Sequence, residues 1–287
     1  MISLIVATVG RTDDLERLFK SVVNQTEHDL ELLVIDQNQD DRVCPFVEVA
    51  ALAGLTVLHL RQPVPNLSKA RNLGLRHARG EIVAFPDDDC WYESDSLAAA
   101  LACFDRNPST GALVADWVEQ SAGLGIEPDG QCLDLQAWRA FRGGHASSIT
   151  LFFRREVLQR LNGFDERLGV GQWYGAAEEV DLVSRALAAD VEIRRCHAVR
   201  VHHRFAPVQE QPNETLENWS KMRRRARGTG ALYAKHRLTA WVIVRGFMAP
   251  VLIPLLKADV GRTLCGIFVS LGRIEGMIRW YFREARE

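Results

Sequence analysis

The 287-residue chain is 47% hydrophobic and 25% charged, ordinary figures for a globular protein and enough for one large domain with or without an appendage. A formal net charge of −2 conceals two unlike parts: residues 1–218 hold 21 Lys/Arg against 33 Asp/Glu, and residues 219–287 hold 14 against 4. The six cysteines form no CxxC pair, which argues against a zinc site and against a secreted disulfide scaffold, while a basic tail on an acidic body points the tail toward something anionic.

The opening run MISLIVATVGR has no basic flank and no long apolar stretch, so it reads as a first strand rather than a signal peptide, with the cytosol as the expected compartment. Behind Thr12 as N-cap, Leu15, Leu18, Phe19, Val22 and Val23 recur at helical spacing, with Asp13 and Asp14 in the first turn. ELLVI ending at Asp36, a helix from about Arg42, LTVLHL, the helix LSKARNLGLRHAR stopped by Gly80, and EIVAF follow in turn. This alternation predicts an α/β fold with a mostly parallel sheet and helices on both faces. Ligands of such sheets sit beyond the carboxyl ends of the strands, where the turn after IVAT, Asp36 and Asp87–Asp89 all fall.

After Ala115 the alternation weakens. Residues 117–145 read as loop with one helix near 135–141, SSITLFF as a strand and RREVLQRL as a helix. A long loop with four glycines, residues 162–177, precedes the helix EEVDLVSRALAA; loops of that length in compact domains tend to be functional. VEIRRCHAVRVHH is the last strand region.

Three adjacent carboxylates, Asp87, Asp88 and Asp89, repel one another unless a cation or a solvated turn accommodates them. Aspartate oxygens are hard ligands suited to Mg2+ or Mn2+, and phosphate oxygens can complete the shell. The triplet therefore reads either as a metal–diphosphate site or as an acidic turn capping a helix that starts near Ser94.

In order and spacing, five blocks resemble the family 2 glycosyltransferases, nucleotide-sugar enzymes of the GT-A fold, from residue 2 to about residue 205. The blocks are VATVGRTDDLERLFKSVVNQT, ELLVIDQNQDD, NLSKARNLGLRHARGEIVAFPDDDCW, FRREVLQRLNGFDERL and GAAEEVDLVSRAL. The resemblance implies a GT-A-like catalytic domain over 1–205; beyond it, charge and hydropathy read as a basic linker and helix over 206–240 and an apolar or amphipathic helical tail over 241–287. It implies sugar transfer with inversion from a nucleoside-diphosphate sugar, with Mn2+ or Mg2+ as cofactor and a glycan or lipid-linked acceptor in polysaccharide synthesis. Nucleic acid is not an expected partner, and oligomerisation is left open. Thr8 and Arg11 would border the nucleoside, Asp36 would bond the base, and Arg71 would lie near the diphosphate. Asp87 and Asp88 would meet the donor, and Asp89 and Asp87 the metal, with His203 or His202 as a further ligand. Glu179, beside Glu178, would be the base. The chain departs from the family where Gln37-Asn38-Gln39 follows Asp36 and where the base helix reads Glu-Glu rather than Glu-Asp.

The alternatives are a sugar nucleotidyltransferase, disfavoured by the single glycine of ATVGRT, a dehalogenase-like phosphatase, and a non-catalytic scaffold of the same fold. Trp173 and Tyr174 either stack on a sugar or anchor their loop. The tail opens with seven Lys/Arg in residues 221–237 and continues with WVIVRGFMAPVLIPLL, interrupted by Arg245, Pro250 and Pro254. Such a run is short for a spanning helix and suits either the anionic inner surface of a membrane or a helical packing interface.

Overall fold

The computed structural model describes residues 1–124, 128–203 and 216–284. The expected boundary at residue 205 and the linker over residues 206–215 lie outside the described residues.

The first half alternates as the periodicities require. Strand β1 (Ile2–Thr8) leads to helix α1 (Asp13–Val23), β2 (Leu30–Asp36) to α2 (Cys44–Leu52), and β3 (Thr56–Arg61) to α3 (Leu67–His77). Then come β4 (Ile82–Ala84) and a short β5 (Cys90–Tyr92) immediately after the acidic triplet. The triplet thus caps no helix: α4 (Ser96–Arg106) starts only after β5, and its N-cap position is Asp95. Thr12 occupies the N-cap of α1 but bonds no helix amide with its side chain.

The second half is less regular. After β6 (Thr110–Trp117) two short helices, α5 (Val118–Leu124) and α6 (Leu135–Arg139), stand where one was expected. Then follow β7 (Leu151–Arg154), α7 (Arg155–Arg160), α8 (Glu178–Ala188) and a long β8 (Glu192–His203). The sheet runs β3-β2-β1-β4-β7-β6-β8-β5. The pairs β3–β2, β2–β1, β1–β4 and β6–β8 are parallel, whereas β4–β7, β7–β6 and β8–β5 are antiparallel. Both sheet faces are covered. Leu4, Val6, Leu32 and Val34 pack toward α1 and α4 with Leu18 and Phe104, and Ile5, Leu33, Ile35 and Val83 pack on the other face with Ala70, Leu158 and Leu182. Every residue of β2 is buried, as a central parallel strand enclosed on both faces requires.

Three long helices close the chain: α9 (Leu216–Lys235), α10 (Ala240–Leu256) and α11 (Val260–Arg279). They pack through glycine. A Cβ added to Gly276 would lie 1.9 Å from the Arg227 carbonyl oxygen, and one added to Gly230 would lie 1.9 Å from that of Arg273. Only bare backbones come this close. The large apolar residues of α11 point outward instead: Leu264, Ile267, Leu271, Ile274 and Ile278 are each 36–48% exposed. Among the described residues no helix is long and apolar enough to cross a membrane.

Candidate active site

The parallel register delivers the site. Thr8 and Asp36 end β1 and β2 as paired residues, and Asp87 bridges to Ala7 beside them. Thr8 donates its hydroxyl to Asp88 Oδ2 at 2.8 Å. Arg11, in the turn after β1, pairs with Asp88 Oδ1 at 3.2 Å and with Asp89.

Antiparallel pairing of β5 with β8 brings the other side. Cys90 lies opposite His203 and Trp91 opposite His202, so the two histidines face opposite ways. His203 Nε2 sits 3.0 Å from Asp89 Oδ1. One ligand atom each from Asp87, Asp89 and His203 lie within 4.8 Å of one another. His202 is turned away: its ring stacks on Trp91, Nδ1 meets Glu119 Oε1 at 2.8 Å and Nε2 meets Glu93 Oε1 at 3.3 Å. Of the four residues expected at the metal, three converge and His202 does not.

The triplet is electrically graded. Burial pushes the Asp88 carboxyl up to about 6, against the Thr8 hydrogen bond and the Arg11 charge. Burial acts the same way on Asp89, but the hydrogen bond from His203 and the pairing with Arg11 outweigh it and hold that carboxyl at about 2. Asp87 is raised by burial, only partly countered by Arg71. Two carboxylate oxygens and an imidazole nitrogen form a donor set that fits Mn2+ or Mg2+, the nitrogen favouring the transition metal.

Arg71 is 1% exposed and works inside the protein. Its NH2 donates to Asp87 Oδ1 at 2.9 Å and its NH1 to Glu178 Oε1 at 3.1 Å. A buried guanidinium needs such partners on both arms. It joins the acidic triplet to the first turn of α8. Glu178 is therefore held by Arg71, away from the Asp181–Arg185 pair, whose Nε–Oδ2 distance is 2.8 Å. Glu179 stands next to it, half-buried. Its carboxyl is pushed well up, first by desolvation and then by the charge and hydrogen bond of Glu178, outweighing its own backbone hydrogen bond and the charge of Arg71.

Asp36 is fully enclosed. Its Oδ1 accepts from the Asn38 amide at 2.9 Å and the Asn38 side chain at 2.8 Å, while Oδ2 faces His59 Nε2 at 3.1 Å. Asn38 in turn accepts from the Gly10 amide at 2.7 Å, tying the two strand ends together. His59 and Arg61 were not anticipated. They stand two apart on β3 and so share a face, a spacing visible in TVLHLR once β3 is placed beside β2.

The glycine-bearing loop is anchored to the tail. Trp173 lies between the guanidinium groups of Arg227 and Arg279, each 4.3 Å from its ring, and Tyr174 packs on Trp280. Ala177, the residue before α8, takes a left-handed φ of 80°, a strained setting for a side chain with a Cβ. Asp181 of α8 receives Lys235 Nζ at 2.7 Å and His236 Nε2 at 2.9 Å from the end of α9. Burial would raise this carboxyl, but those partners and Arg185 hold it at about 2.

A family model described as glycosyl transferase family 2 matches residues 3–161. A glucosyl-dolichyl phosphate glucuronosyltransferase of Haloferax volcanii is 27% identical over 187 residues, which are 58% of this chain and 57% of that protein. A cholesterol galactosyltransferase of Borreliella burgdorferi is 31% identical over 96 residues, 33% of this chain and 27% of that protein. The chain thus spans little more than half of the first relative and about a quarter of the second. Among solved structures, a mannosyltransferase from Pyrobaculum calidifontis with GDP-Man and Mn2+ superposes with a TM-score of 0.66 at 18% identity, covering 98% of this chain and 87% of that one. Residues 1–349 of S. aureus TarS with UDP-GlcNAc superpose with a TM-score of 0.59 at 16% identity, covering 93% and 90%. The fold is that of GT-A glycosyltransferases, including their C-terminal helical part.

Proposed function

The chain belongs to glycosyl transferase family 2, and from that premise we propose that it transfers a sugar, with inversion, from a nucleoside-diphosphate donor to a hydroxyl of a glycan or lipid-linked glycan. One observation carries the reading: Arg71 brings the acidic cluster of Asp87 and Asp89 against the helix turn that holds the desolvated carboxyl of Glu179. A donor site and a base on separate elements, joined by one buried cation, are what such a displacement needs.

Glu179 takes the proton of the acceptor hydroxyl as that oxygen bonds to the anomeric carbon. The bond from that carbon to the diphosphate oxygen breaks, and the nucleoside diphosphate leaves with the electron pair from the opposite face. A carboxyl raised above the usual range is a stronger base when ionised, which suits this role. Asp87, Asp89 and His203 would hold the divalent cation, Mn2+ or Mg2+, which supplies positive charge toward the diphosphate when bound. Arg11 and Thr8 order Asp88 and Asp89 beside it. Asp36, with Asn38 and His59, shapes the nucleoside end.

The two superposed enzymes, whose structures hold GDP-Man and UDP-GlcNAc, support a nucleotide-sugar donor here. The outward apolar face of α11 and the basic balance of the last 69 residues support a peripheral seat on an anionic inner membrane surface.

Titration calorimetry with UDP and GDP, with and without Mn2+, tests the donor site. Metal-dependent binding is expected in the wild type and its loss in Asp89→Ala, because nothing nearby replaces that oxygen. Unchanged affinity in the variant would take Asp89 out of the metal set.

A further inference from the structure

A groove of about 500 Å³ runs between the Trp173 loop and the last helices. Its floor is apolar. Ile274 and Ile278 of α11 line it together with Phe282, and these are 36%, 48% and 58% exposed. They continue the outward stripe of Leu264, Ile267 and Leu271, so the groove is the inner end of an apolar track along α11. Its rim is cationic. Arg227 is neutralised by Glu275 at 2.9 Å, but Arg279 and Arg283 have no carboxylate partner among the described residues.

The groove also lies close to the base along the chain. Arg227 lines it, and the next residue, Gly228, packs on Ala176 and Ala177, which lead directly into Glu178 and Glu179. Trp173, the groove's other wall, precedes Glu178 by five residues in the same loop.

We propose that this groove binds the lipid phosphate of the acceptor. The hydrocarbon chain lies on Ile274, Ile278 and Phe282, and the phosphate meets Arg279 and Arg283, which directs the acceptor's reactive end toward Glu179. The proposal rests on the glycosyltransferase reading and names its acceptor class. Both halves of the ligand are argued from the site. Free phosphate has no use for an apolar floor, and a neutral apolar ligand leaves two guanidinium groups without an anion at its edge. A lipid phosphate satisfies both, with guanidinium–phosphate bonds that are bidentate and charge-assisted.

Binding of farnesyl phosphate, farnesol and inorganic phosphate to the full chain, read from tryptophan fluorescence, tests this. Farnesyl phosphate should bind at least about tenfold more tightly than farnesol, a step of one decade in Kd, and inorganic phosphate should not bind. Arg279→Gln with Arg283→Gln should remove that preference, and Ile278→Glu should weaken farnesyl phosphate while keeping both arginines. Because Arg279 also stacks on Trp173, Arg283→Gln alone and Ile278→Glu decide the matter if the double variant does not fold. Equal affinity for farnesol and farnesyl phosphate, binding of inorganic phosphate as tight as that of farnesyl phosphate, or indifference to Arg283→Gln and Ile278→Glu would each overturn the proposal. Binding of UDP or GDP with Mn2+ is measured in parallel. Its absence beside intact farnesyl phosphate selectivity would sink the donor reading and leave the groove standing.

Discussion

The sheet body and the three C-terminal helices solve the packing problem in opposite ways. In the body, Leu4, Leu32, Phe152 and Phe153 are fully buried against helices, and the charges that go inside with them, such as Arg71 and Asp181, are paired. In the tail, Gly230, Gly272 and Gly276 face in, backbone against backbone, while Leu264, Ile267 and Leu271 face out. The first pattern is stabilised by removing apolar surface from water. The second adds, to a small buried cluster that includes Leu232 and Trp280, close van der Waals contact between backbones, as helices in lipid do. The contrast leaves the tail's outer face available for an apolar environment. The two still meet at α8, where Asp181 is gripped by Lys235 and His236.

The largest effect that would test this division belongs to the body. Glu179→Gln should lower turnover by roughly 10²–10⁴-fold, the scale for loss of a general base, with or without lipid present. Nucleoside diphosphate affinity should stay within a few-fold. In the wild type, turnover should rise with pH through a limb lying above the ordinary carboxylate range, since Glu179 must be ionised to act and its carboxyl is raised. Glu178→Gln removes the adjacent charge and should move that limb down. A limb that stays in place would show that Glu178 does not tune Glu179.

A paired substitution addresses packing itself. Phe152→Ala, at a fully buried position, should cost about 3–5 kcal/mol in chemical denaturation. Leu271→Glu, at 42% exposure, should change stability by no more than about 0.5 kcal/mol yet weaken binding to vesicles containing anionic lipid. A large stability loss from Leu271→Glu would mean that the α11 face is buried in solution, against a partner rather than a membrane.

A smaller effect sits at the join. Asp181 is fully buried and held at about 2 against its ordinary 3.8, so Asp181→Asn should cost about 2 kcal/mol at neutral pH. The folded value is depressed, so the stabilisation is present above 3.8 and is lost as pH falls toward about 2. The gap between wild type and variant should close over that interval. Unfolding curves at several pH values would measure it, and a gap independent of pH would assign the cost to packing rather than charge.

Much of this was legible in the residues. Apolar runs ending in Asp36 and in the triplet mark strands, and the carboxyl-end rule places both on one rim, where Thr8 pairs with Asp36. Other features depend on contacts far along the chain. Arg71 looks like an exposed helix cation until residues 16 and 107 positions away enclose it. The tail's polarity was hidden for a simpler reason: a stripe at 264, 267, 271, 274 and 278 has the same period whether it faces a core or its surroundings. The two histidines could not be separated because strand parity is set only once β8 is paired with β5.

That parity follows a break in the β6–β8 register. Ala115 pairs with Cys196 but Asp116 pairs with Arg200, so residues 197–199 have no opposite number on β6. An uninterrupted strand that lost one residue would slide its neighbours by one place and turn every later side chain to the other face. Here three residues together make the offset. The segment is held in place, with Val199 fully buried and the His197 amide donating to Asp129 at 2.8 Å, so the offset is fixed and Cys90 keeps His203 across from it. A slip of one place in β8 against β5 would turn His202, not His203, toward Asp89.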